Sequence, residues 1–195
     1  GANALDENAV KKIYEAKGRP SDNPLIVHIS SKEEVYKLAN DISDKAKVLM
    51  SKFWPGPLTM IFKKKDIVPQ RTSGGLDTVA IRMPSHKIAR ELIKQAGIPI
   101  AAPSANISGR PSPTKGEHVC AEMNGRVSGI VVGGDCNFGL ESTVIDMTMD
   151  IPMILRPGSV TKEQLEVEIG QVLIDPSLEN KEDVARKVGV GAIIF

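Results

Sequence analysis

The sequence predicts an α/β protein with a mixed, twisted sheet flanked by helices. Two observations carry this prediction: short apolar segments of strand type are interleaved with amphipathic segments of helical period, and several strands follow one another near the end of the chain. A purely parallel, doubly wound sheet would need a helix between successive strands, so a mixed sheet fits better. At 195 residues, the chain is long enough for one well-buried core with an appendage.

The first half of the chain opens with a helix. Asp6 is a suitable N-cap, and apolar side chains at helical spacing continue until Gly18 ends the helix. Ser31 and Glu34 form the capping box of a second helix. The other elements predicted for this half are a helix over 45–53 and strands over 25–29, 58–62 and 79–82.

The second half is predicted to contain one more helix and a series of strands. Ser85 is the expected N-cap of a helix that Gly97 ends. From Ile174 onward the sequence turns polar, so we predict a catalytic domain over 1–172 and a linker, with a possible remnant of a second domain, over 173–195. The strands predicted in this half cover 98–102, 130–132, 143–146 and 153–155.

Charge and composition exclude several classes of protein. With 25 basic and 24 acidic side chains, the net charge of +1 gives no overall attraction to nucleic acid or membrane, and leaves room only for a local basic patch. Cys120 and Cys136 are too few for a disulfide framework and lack metal-ligand spacing, so we expect free thiols in a reducing, cytoplasmic location. No apolar run approaches the roughly 20 residues of a transmembrane helix, so no membrane partner is expected.

The 17–24 loop is the first candidate site, since no P-loop, dinucleotide fingerprint or Gly-x-Ser-x-Gly elbow is present. Lys17 and Arg19 flank Gly18, and two prolines stiffen the chain around Asn23. Lysine supplies a compact charge and arginine a planar fork, so the pair suits a triphosphate and its leaving pyrophosphate. The same pair is also typical of a solvated helix end whose cations favour the helix dipole.

A second candidate site is the polar 103–113 loop, which directly follows a fully apolar strand. Ser104, Asn106 and Ser112 offer hydroxyl and amide groups that suit phosphate or a metal ion. The alternative is an Asx or Ser/Thr turn that caps the next element, and the residues alone favour neither interpretation.

A third candidate site is centred on Arg82, which ends an apolar strand that begins at Thr78. A buried arginine needs a partner, and an amino-acid carboxylate would bind it bidentately; a structural salt bridge is the competing interpretation. His28 lies in another apolar strand and is either a core histidine or one that faces a pocket. Ser142 and Arg156, farther along the chain, complete this group of polar residues.

Six motifs occur in a fixed order along residues 1–170. They are Lys17-Gly18-Arg19, Asn-Pro-Leu-Ile-Val-His over 23–28, Trp-Pro-Gly-Pro-Leu-Thr over 54–59, Thr-Val-Ala-Ile-Arg over 78–82, Ser104-Ala105-Asn106 and Leu-Arg-Pro-Gly over 155–158. Their order and spacing together resemble the YrdC-like threonylcarbamoyl-AMP synthase family. The resemblance implies a twisted α/β sheet around a large concave cavity.

The resemblance also implies a role for each matching residue. The residues that would bind ATP, with Mg²⁺ accompanying the nucleotide, are Arg19, Asn23, Thr78, Ser104, Ser112 and Arg156. Those that would line a threonine pocket are His28, Arg82, Ala102 and Ser142. The set around the reacting phosphates would be Lys17, Arg19, Ser104 and Asn106.

The reaction implied by the resemblance is a nucleotidyl transfer. The enzyme would be an L-threonylcarbamoyladenylate synthase, which forms threonylcarbamoyl-AMP and pyrophosphate from L-threonine, bicarbonate and ATP. The product would serve the threonylcarbamoyladenosine modification of tRNA through a downstream threonylcarbamoyl transferase complex. Contact with tRNA or double-stranded RNA is a further expectation from the family.

The sequence departs from the family pattern at both ends. Members usually carry a Pro-Thr-Glu-Thr-x-Tyr-Gly-Leu segment before the Gly-Ala-Asn-Ala that opens this sequence, and longer members carry a His-Tyr-x-Pro linker motif; neither occurs here. We expect that residues of the natural protein are missing at these places, and 188–195 resembles the end of a second domain. Two other functions remain open: a YrdC-like RNA-binding module, and a carbamoyl-adenylate enzyme with another substrate.

Overall fold

The computed structural model of the chain describes residues 1–134 and 141–178. The strands are β1 (Ala2–Asn3), β2 (Ile26–His28), β3 (Leu58–Lys63), β4 (Thr78–Arg82), β5 (Ile100–Ala101), β6 (Thr143–Asp146), β7 (Met153–Arg156) and β8 (Leu173–Ile174). The helices are α1 (Glu7–Lys17), α2 (Val35–Leu38), α3 (Asp44–Phe53), α4 (Lys87–Ala96), α5 (Gly116–Met123) and α6 (Lys162–Ile169). Short 3₁₀ turns cover Lys32–Glu34 and Pro176–Leu178.

All eight strands of the described chain belong to one mixed sheet, in the order β1-β5-β2-β4-β3-β6-β7-β8. The pairs β2/β4, β3/β6 and β7/β8 are parallel, and the remaining neighbours are antiparallel. The predicted mixed α/β sheet is therefore confirmed. A helical crossover joins β4 to β5 through α4, whereas β6 and β7 follow one another directly, as the sequence pattern indicated.

The two faces of the sheet differ in composition. Val27, Met60 and Ile81 lie on one face, are fully buried, and belong to a single hydrophobic cluster with Val10 of α1 and Leu49 of α3. Side chains alternate between faces along a strand, and β4 accordingly alternates between buried and partly exposed positions. The face that packs against α1 and α3 therefore holds the core, and the opposite face carries His28 and Arg82 beside partly exposed apolar residues such as Ala80.

Local sequence signals determine most helix ends. The Asp6 side chain accepts hydrogen bonds from the amides of Asn8 and Ala9, and Gly18 ends α1 with a left-handed φ of 60°. The predicted Ser31–Glu34 capping box is present. The N-cap of α4 is His86, so the prediction of Ser85 is wrong by one residue.

The strand predicted over 130–132 is absent, because these apolar residues do not join the sheet. Val131 and Val132 are 65% and 61% exposed, and with Ile130 they line a surface cavity between α4 and α5 whose wall includes Ala105. A short apolar run can therefore cover a cavity instead of pairing as a strand.

Four elements were not predicted: the edge strands β1 and β8, and the helices α5 and α6. Leu173 and Ile174 pair with β7, so the described sheet reaches two residues beyond the predicted domain end at 172. Cys136 and the segment 179–195 lie outside the described residues, and the predicted division of the chain stays a prediction. Within the described residues, no helix is both long and apolar enough to cross a membrane.

Candidate active site

The carboxyl ends of β2 and β4 bring two of the predicted residues side by side. The parallel register aligns His28 with Arg82, and His28 is also aligned with Ile100 of β5. Ala102 follows β5 and donates its amide to the carbonyl of Ile26 at 3.1 Å. His28 and Arg82 therefore lie at the carboxyl ends of two adjacent strands, where α/β sheets often bind ligands. Because β5 runs antiparallel to β2, Ala102 lies beside Ile26 at the amino end of β2, two residues along the strand from His28.

His28 is neutral in this arrangement. Its imidazole is fully buried, and burial, reinforced by the charge of Arg82, lowers the His28 pKa to about 3. The Nε of Arg82 donates to the carbonyl of Gly56 at 3.1 Å, and the Arg82 side chain is partly exposed. The charge of this end of the site is therefore supplied by Arg82, which suits a carboxylate.

Ser142, the fourth residue of the predicted threonine pocket, lies just before β6 and is bound to Thr59 of β3. Their hydroxyl oxygens are 2.8 Å apart, and both residues are buried. The antiparallel register of β3 with β4 places Thr59 next to Arg82. Thr59 was missed as a site residue, and the signal for it is a fully buried hydroxyl in an otherwise apolar strand.

Arg156, predicted to bind ATP, is engaged by protein groups in this structure. Its Nε and Nη2 donate to the carbonyl of Ser142 at 3.1 and 2.8 Å, and Nη2 also donates to the Ser142 hydroxyl at 2.9 Å. Its Nη1 lies 3.0 Å from Oε2 of Glu141, with the two side chains 18% and 15% exposed. Burial raises the Glu141 pKa more than the Arg156 charge lowers it.

Lys17 and the 104–110 loop form a second polar cluster at the end of α1. Lys17 is only 5% exposed, and its Nζ donates to the carbonyls of Ser104 and Asn106 and, at 3.4 Å, to Oδ1 of Asn106. Burial, and then repulsion from Arg19, lowers the Lys17 pKa to about 8, while Glu122 acts in the opposite direction. The predicted residues Lys17, Ser104 and Asn106 are therefore brought into contact.

The 104–110 loop is closed by its own hydrogen bonds. Nδ2 of Asn106 donates to the carbonyls of Ile107 at 3.0 Å and Arg110 at 2.7 Å. The amide of Ser108 donates to the carbonyl of Lys17 at 2.9 Å. The Asn106 side chain thus shapes a turn, as the structural interpretation of this loop expected, and also contacts a buried cation.

Arg19 has few partners of its own. Its Nε is buried and makes no hydrogen bond to any of the described residues, and its Nη2 reaches the carbonyl of Pro24 only at 3.5 Å. Burial lowers the Arg19 pKa, which shows that its charge is poorly solvated. Asn23 is exposed nearby, and its carbonyl accepts a hydrogen bond from the Tyr14 hydroxyl at 2.8 Å.

Thr78 and Ser112 lie farther from these clusters. Thr78 begins β4 on the same face as Arg82, about 13 Å away at a strand rise of about 3.3 Å per residue. Ser112 is partly exposed in the loop after Arg110. Neither side chain is hydrogen-bonded to Lys17 or Arg82 among the residues that the structure describes.

The two clusters differ in what they can bind. Lys17 and Arg19 offer two cations beside hydroxyl and amide groups, which suits a polyphosphate. Arg82, with neutral His28 and the Ser142 hydroxyl, suits a small zwitterion that carries a carboxylate. Within 1–134 and 141–178, no three His, Cys, Asp or Glu side chains are grouped so that they could hold a metal ion.

Comparisons with known proteins find relatives along most of the chain. A family model named Sua5_yciO_yrdC and described as "Telomere recombination" matches residues 1–158. The threonylcarbamoyl-AMP synthase of Pyrococcus abyssi is 53% identical over 191 residues, which are 97% of this chain and 56% of that protein. The protein of the same name from Bacillus subtilis is 55% identical over 184 residues, or 94% of this chain and 53% of that protein.

The solved structure of a relative has the same fold as this chain. The crystal structure of P. abyssi Sua5 complexed with L-threonine matches with a TM-score of 0.89 and 54% identity, over 92% of this chain and 53% of that one. The chain thus spans about half the length of these relatives. The similarity covers both polar clusters, because the matched region extends beyond Arg156.

Proposed function

This chain belongs to the Sua5/YciO/YrdC family, and from that premise we propose that it is the catalytic part of an L-threonylcarbamoyladenylate synthase. The proposed reaction converts L-threonine, bicarbonate and ATP into threonylcarbamoyl-AMP and pyrophosphate. Family membership was predicted from six motifs and is confirmed by the comparisons. The single observation that carries the activity is the alignment of Arg82 with neutral His28 at the carboxyl ends of β2 and β4, in a sheet whose adjacent strand β5 leads into the loop that contacts Lys17.

The amino acid would bind at the Arg82 end. The guanidinium would hold the threonine carboxylate, and the neutral imidazole of His28 would add no second charge to repel the ammonium group. The Ser142 hydroxyl, 2.8 Å from that of Thr59, would be oriented to bind a polar group of the amino acid. A relative bound to L-threonine has the same fold at 54% identity, which supports this assignment.

The chemistry then needs positioning and charge stabilisation but no covalent protein intermediate. The threonine ammonium loses a proton to solvent, and the resulting amine forms a bond to the bicarbonate carbon with loss of water, which gives a carbamate. A carbamate oxygen attacks the α-phosphorus of ATP, and the bond from that phosphorus to the pyrophosphate oxygen breaks. Lys17 and Arg19 would stabilise the negative charge that develops on the phosphates.

We propose that Mg²⁺ enters this site bound to ATP. Magnesium retains several waters and commonly binds through substrate phosphates, so it needs few protein ligands. The described residues provide no cluster of three His, Cys, Asp or Glu side chains, which fits an ion carried by the nucleotide. The ion would neutralise phosphate charge, while this chain orients the phosphates through Lys17 and Arg19.

The product would be used for the threonylcarbamoyladenosine modification of tRNA in the cytoplasm. We propose that it passes to a downstream threonylcarbamoyl transferase complex, because mixed carboxylic–phosphoric anhydrides are reactive in water and favour rapid consumption. We also propose that this chain contacts tRNA or double-stranded RNA directly. The near-neutral net charge of +1 supports an enzyme over a module that binds RNA alone.

The direct test is pyrophosphate release from Mg·ATP and bicarbonate, with and without L-threonine. We expect release that depends on threonine and that falls strongly in Arg82→Ala, mainly through a higher KM for threonine. Arg126→Ala is the matched control, since the only hydrogen bond of this exposed side chain to the described residues is a long one, 3.5 Å to the carbonyl of Ala16. Threonine-independent release, or wild-type KM in Arg82→Ala, would contradict the proposed site.

Two further outcomes separate the alternatives. Release that depends on an amino acid other than threonine would indicate a carbamoyl-adenylate enzyme with another substrate. Salt-sensitive binding of a duplex RNA without any pyrophosphate release would indicate an RNA-binding module.

A further inference from the structure

The 104–110 loop is contacted on two sides, and one of these contacts, from Glu122, has no role in the reaction proposed above. On one side, the loop contacts Lys17 through the carbonyls of Ser104 and Asn106. On the other side, Glu122 of α5 accepts a hydrogen bond from the amide of Ile107, with its Oε2 2.8 Å from that nitrogen. Its other oxygen lies 3.8 Å from Nη1 of Arg110. Glu122 therefore binds both the middle and the end of the loop.

Glu122 is unusual among the acidic residues of its helix. Its side chain is 20% exposed, whereas the Glu117 side chain on the same helix is 73% exposed. The only buried residue of α5 is Met123, next to Glu122 in sequence. A carboxylate that is largely removed from water needs a hydrogen-bond donor from the protein, and the Ile107 amide supplies one.

The contacts of Glu122 continue to Lys17 through two residues. Glu122 fixes the Ile107 amide, and the Ile107 carbonyl accepts a hydrogen bond from the Asn106 side chain at 3.0 Å. The carbonyl of Asn106 accepts from Lys17 Nζ, and its Oδ1 does so at 3.4 Å. A shift of Ile107 would therefore move the oxygens that hold the buried cation.

We propose that Glu122 is a positioning residue for the phosphate end of the site. It holds the 104–110 loop so that Ser104 and Asn106 keep Lys17 Nζ in place for a polyphosphate. The effect on turnover rests on the proposed function, whereas the effect on loop order and nucleotide binding does not. Glu122 itself does not touch the substrate in this proposal.

The experiment compares the variants Glu122→Ala and Glu122→Gln with the control Glu117→Ala, each in the 195-residue chain. Amide hydrogen exchange by NMR reports the order of the loop at Ile107 and Ser108. Calorimetry gives the affinity for Mg·ATP, an NMR titration gives that for L-threonine, and pyrophosphate release gives the turnover.

In Glu122→Ala we expect exchange at Ile107 and Ser108 to accelerate roughly 10- to 100-fold, the range for losing a hydrogen bond to a charged group. We expect Mg·ATP affinity to fall roughly tenfold while L-threonine affinity stays unchanged. Glu122→Gln keeps an acceptor oxygen for Ile107, so it should restore most of both properties. Glu117→Ala should resemble the wild type in every measurement.

Unchanged exchange and unchanged Mg·ATP affinity in Glu122→Ala would overturn the proposal. An equal loss of affinity for Mg·ATP and L-threonine would also overturn it, because that pattern indicates general loosening of the fold. If the wild type releases no pyrophosphate but the expected changes in exchange and Mg·ATP binding occur, the proposed function fails and the positioning role of Glu122 stands.

Discussion

The cations predicted to bind ATP or its phosphates are held in two opposite ways. Lys17 donates to three oxygens, all from carbonyl or amide groups, and Arg19 Nε has no partner within the described residues. Arg156, by contrast, forms an ion pair with Glu141 and also binds Ser142. A cation that is held by neutral acceptors keeps its full charge for a ligand, whereas the charge of Arg156 is already balanced within the protein.

This difference indicates that Lys17 and Arg19, and not Arg156, are arranged to bind an anion before the anion arrives. Burial lowers the pKa of both Lys17 and Arg19, and their mutual repulsion lowers the Lys17 pKa further. Two poorly solvated cations side by side are unfavourable without a ligand and become favourable when a polyphosphate neutralises them. The Lys17 cluster is thus the preorganised part of the site.

The largest effect should follow from removing Arg19. We expect Arg19→Ala to weaken Mg·ATP binding by roughly 10- to 100-fold, the range for a hydrogen bond to a charged group. Arg156→Ala should weaken it less, because Arg156 must first leave Glu141 to bind an anion. Calorimetric titration of the two variants, with Arg126→Ala as an exposed control, measures the difference.

A larger loss in Arg156→Ala than in Arg19→Ala would mean that the neutral-acceptor cluster is not the main phosphate site. Thermal unfolding of both variants provides the necessary check. Arg156→Ala leaves the Glu141 carboxylate without its partner, so it should destabilise the fold more than Arg19→Ala does.

An intermediate effect is expected from pH. The Lys17 pKa is about 8, below the 10.5 of a free lysine, so the cation is lost as the pH rises through about 8. Mg·ATP affinity, measured without threonine, should therefore decline above about pH 8 and by at most about tenfold per pH unit. The unfolded chain holds this proton up to higher pH, so the Lys17 contribution to the free energy of unfolding should rise between the two pKa values.

Lys17→Arg tests whether Lys17 is the group responsible. A guanidinium stays protonated throughout this range, so the decline should disappear even if the overall affinity is lower. Arg19 lowers the Lys17 pKa and Glu122 acts in the opposite direction. The Gly1 ammonium is a further charged neighbour of Lys17, and burial, together with the Lys17 charge, lowers its pKa below the usual value. A decline that persists in Lys17→Arg would assign it to another group.

The sequence predicted the members of the Lys17 cluster but not its geometry. Gly18 and the Asp6 cap are local signals, and they correctly defined the ends of the helix that carries Lys17. The acceptors of Lys17 are backbone carbonyls of Ser104 and Asn106, and no side-chain pattern specifies where a carbonyl points. The sequence motifs therefore predicted which residues form the cluster, while the contacts between them depend on the fold.

Tertiary contacts also explain what the sequence did not predict. Glu122 reaches Ile107 from a short helix with little apolar periodicity, so neither α5 nor the contact was predicted. Thr59 becomes a site residue only because β3 pairs with both β4 and β6, which brings it to Ser142. Such residues are identified by burial of a polar group, which is a property of the folded chain.

The smallest effect should follow from neutralising Glu141. Glu141→Gln removes the charge that competes for Arg156 but keeps an oxygen within reach of Nη1. We expect Mg·ATP affinity to rise about threefold, since a partly buried ion pair contributes up to about 1 kcal/mol. The free energy of unfolding should fall by a similar amount. Glu168→Gln is the control, because Glu168 is similarly shielded, at 23% exposed, and pairs at 3.4 Å with Lys52, a cation that belongs to neither cluster.

The direction of this change decides what the ion pair does. If Arg156 has to leave Glu141 in order to bind ATP, removing the carboxylate should strengthen binding, because less interaction is lost when Arg156 turns to the phosphates. If affinity instead falls in Glu141→Gln but not in Glu168→Gln, Glu141 holds Arg156 in its binding position. The Lys17 cluster and Arg156 would then differ in how their side chains are positioned, and not in how much positive charge they offer to a ligand.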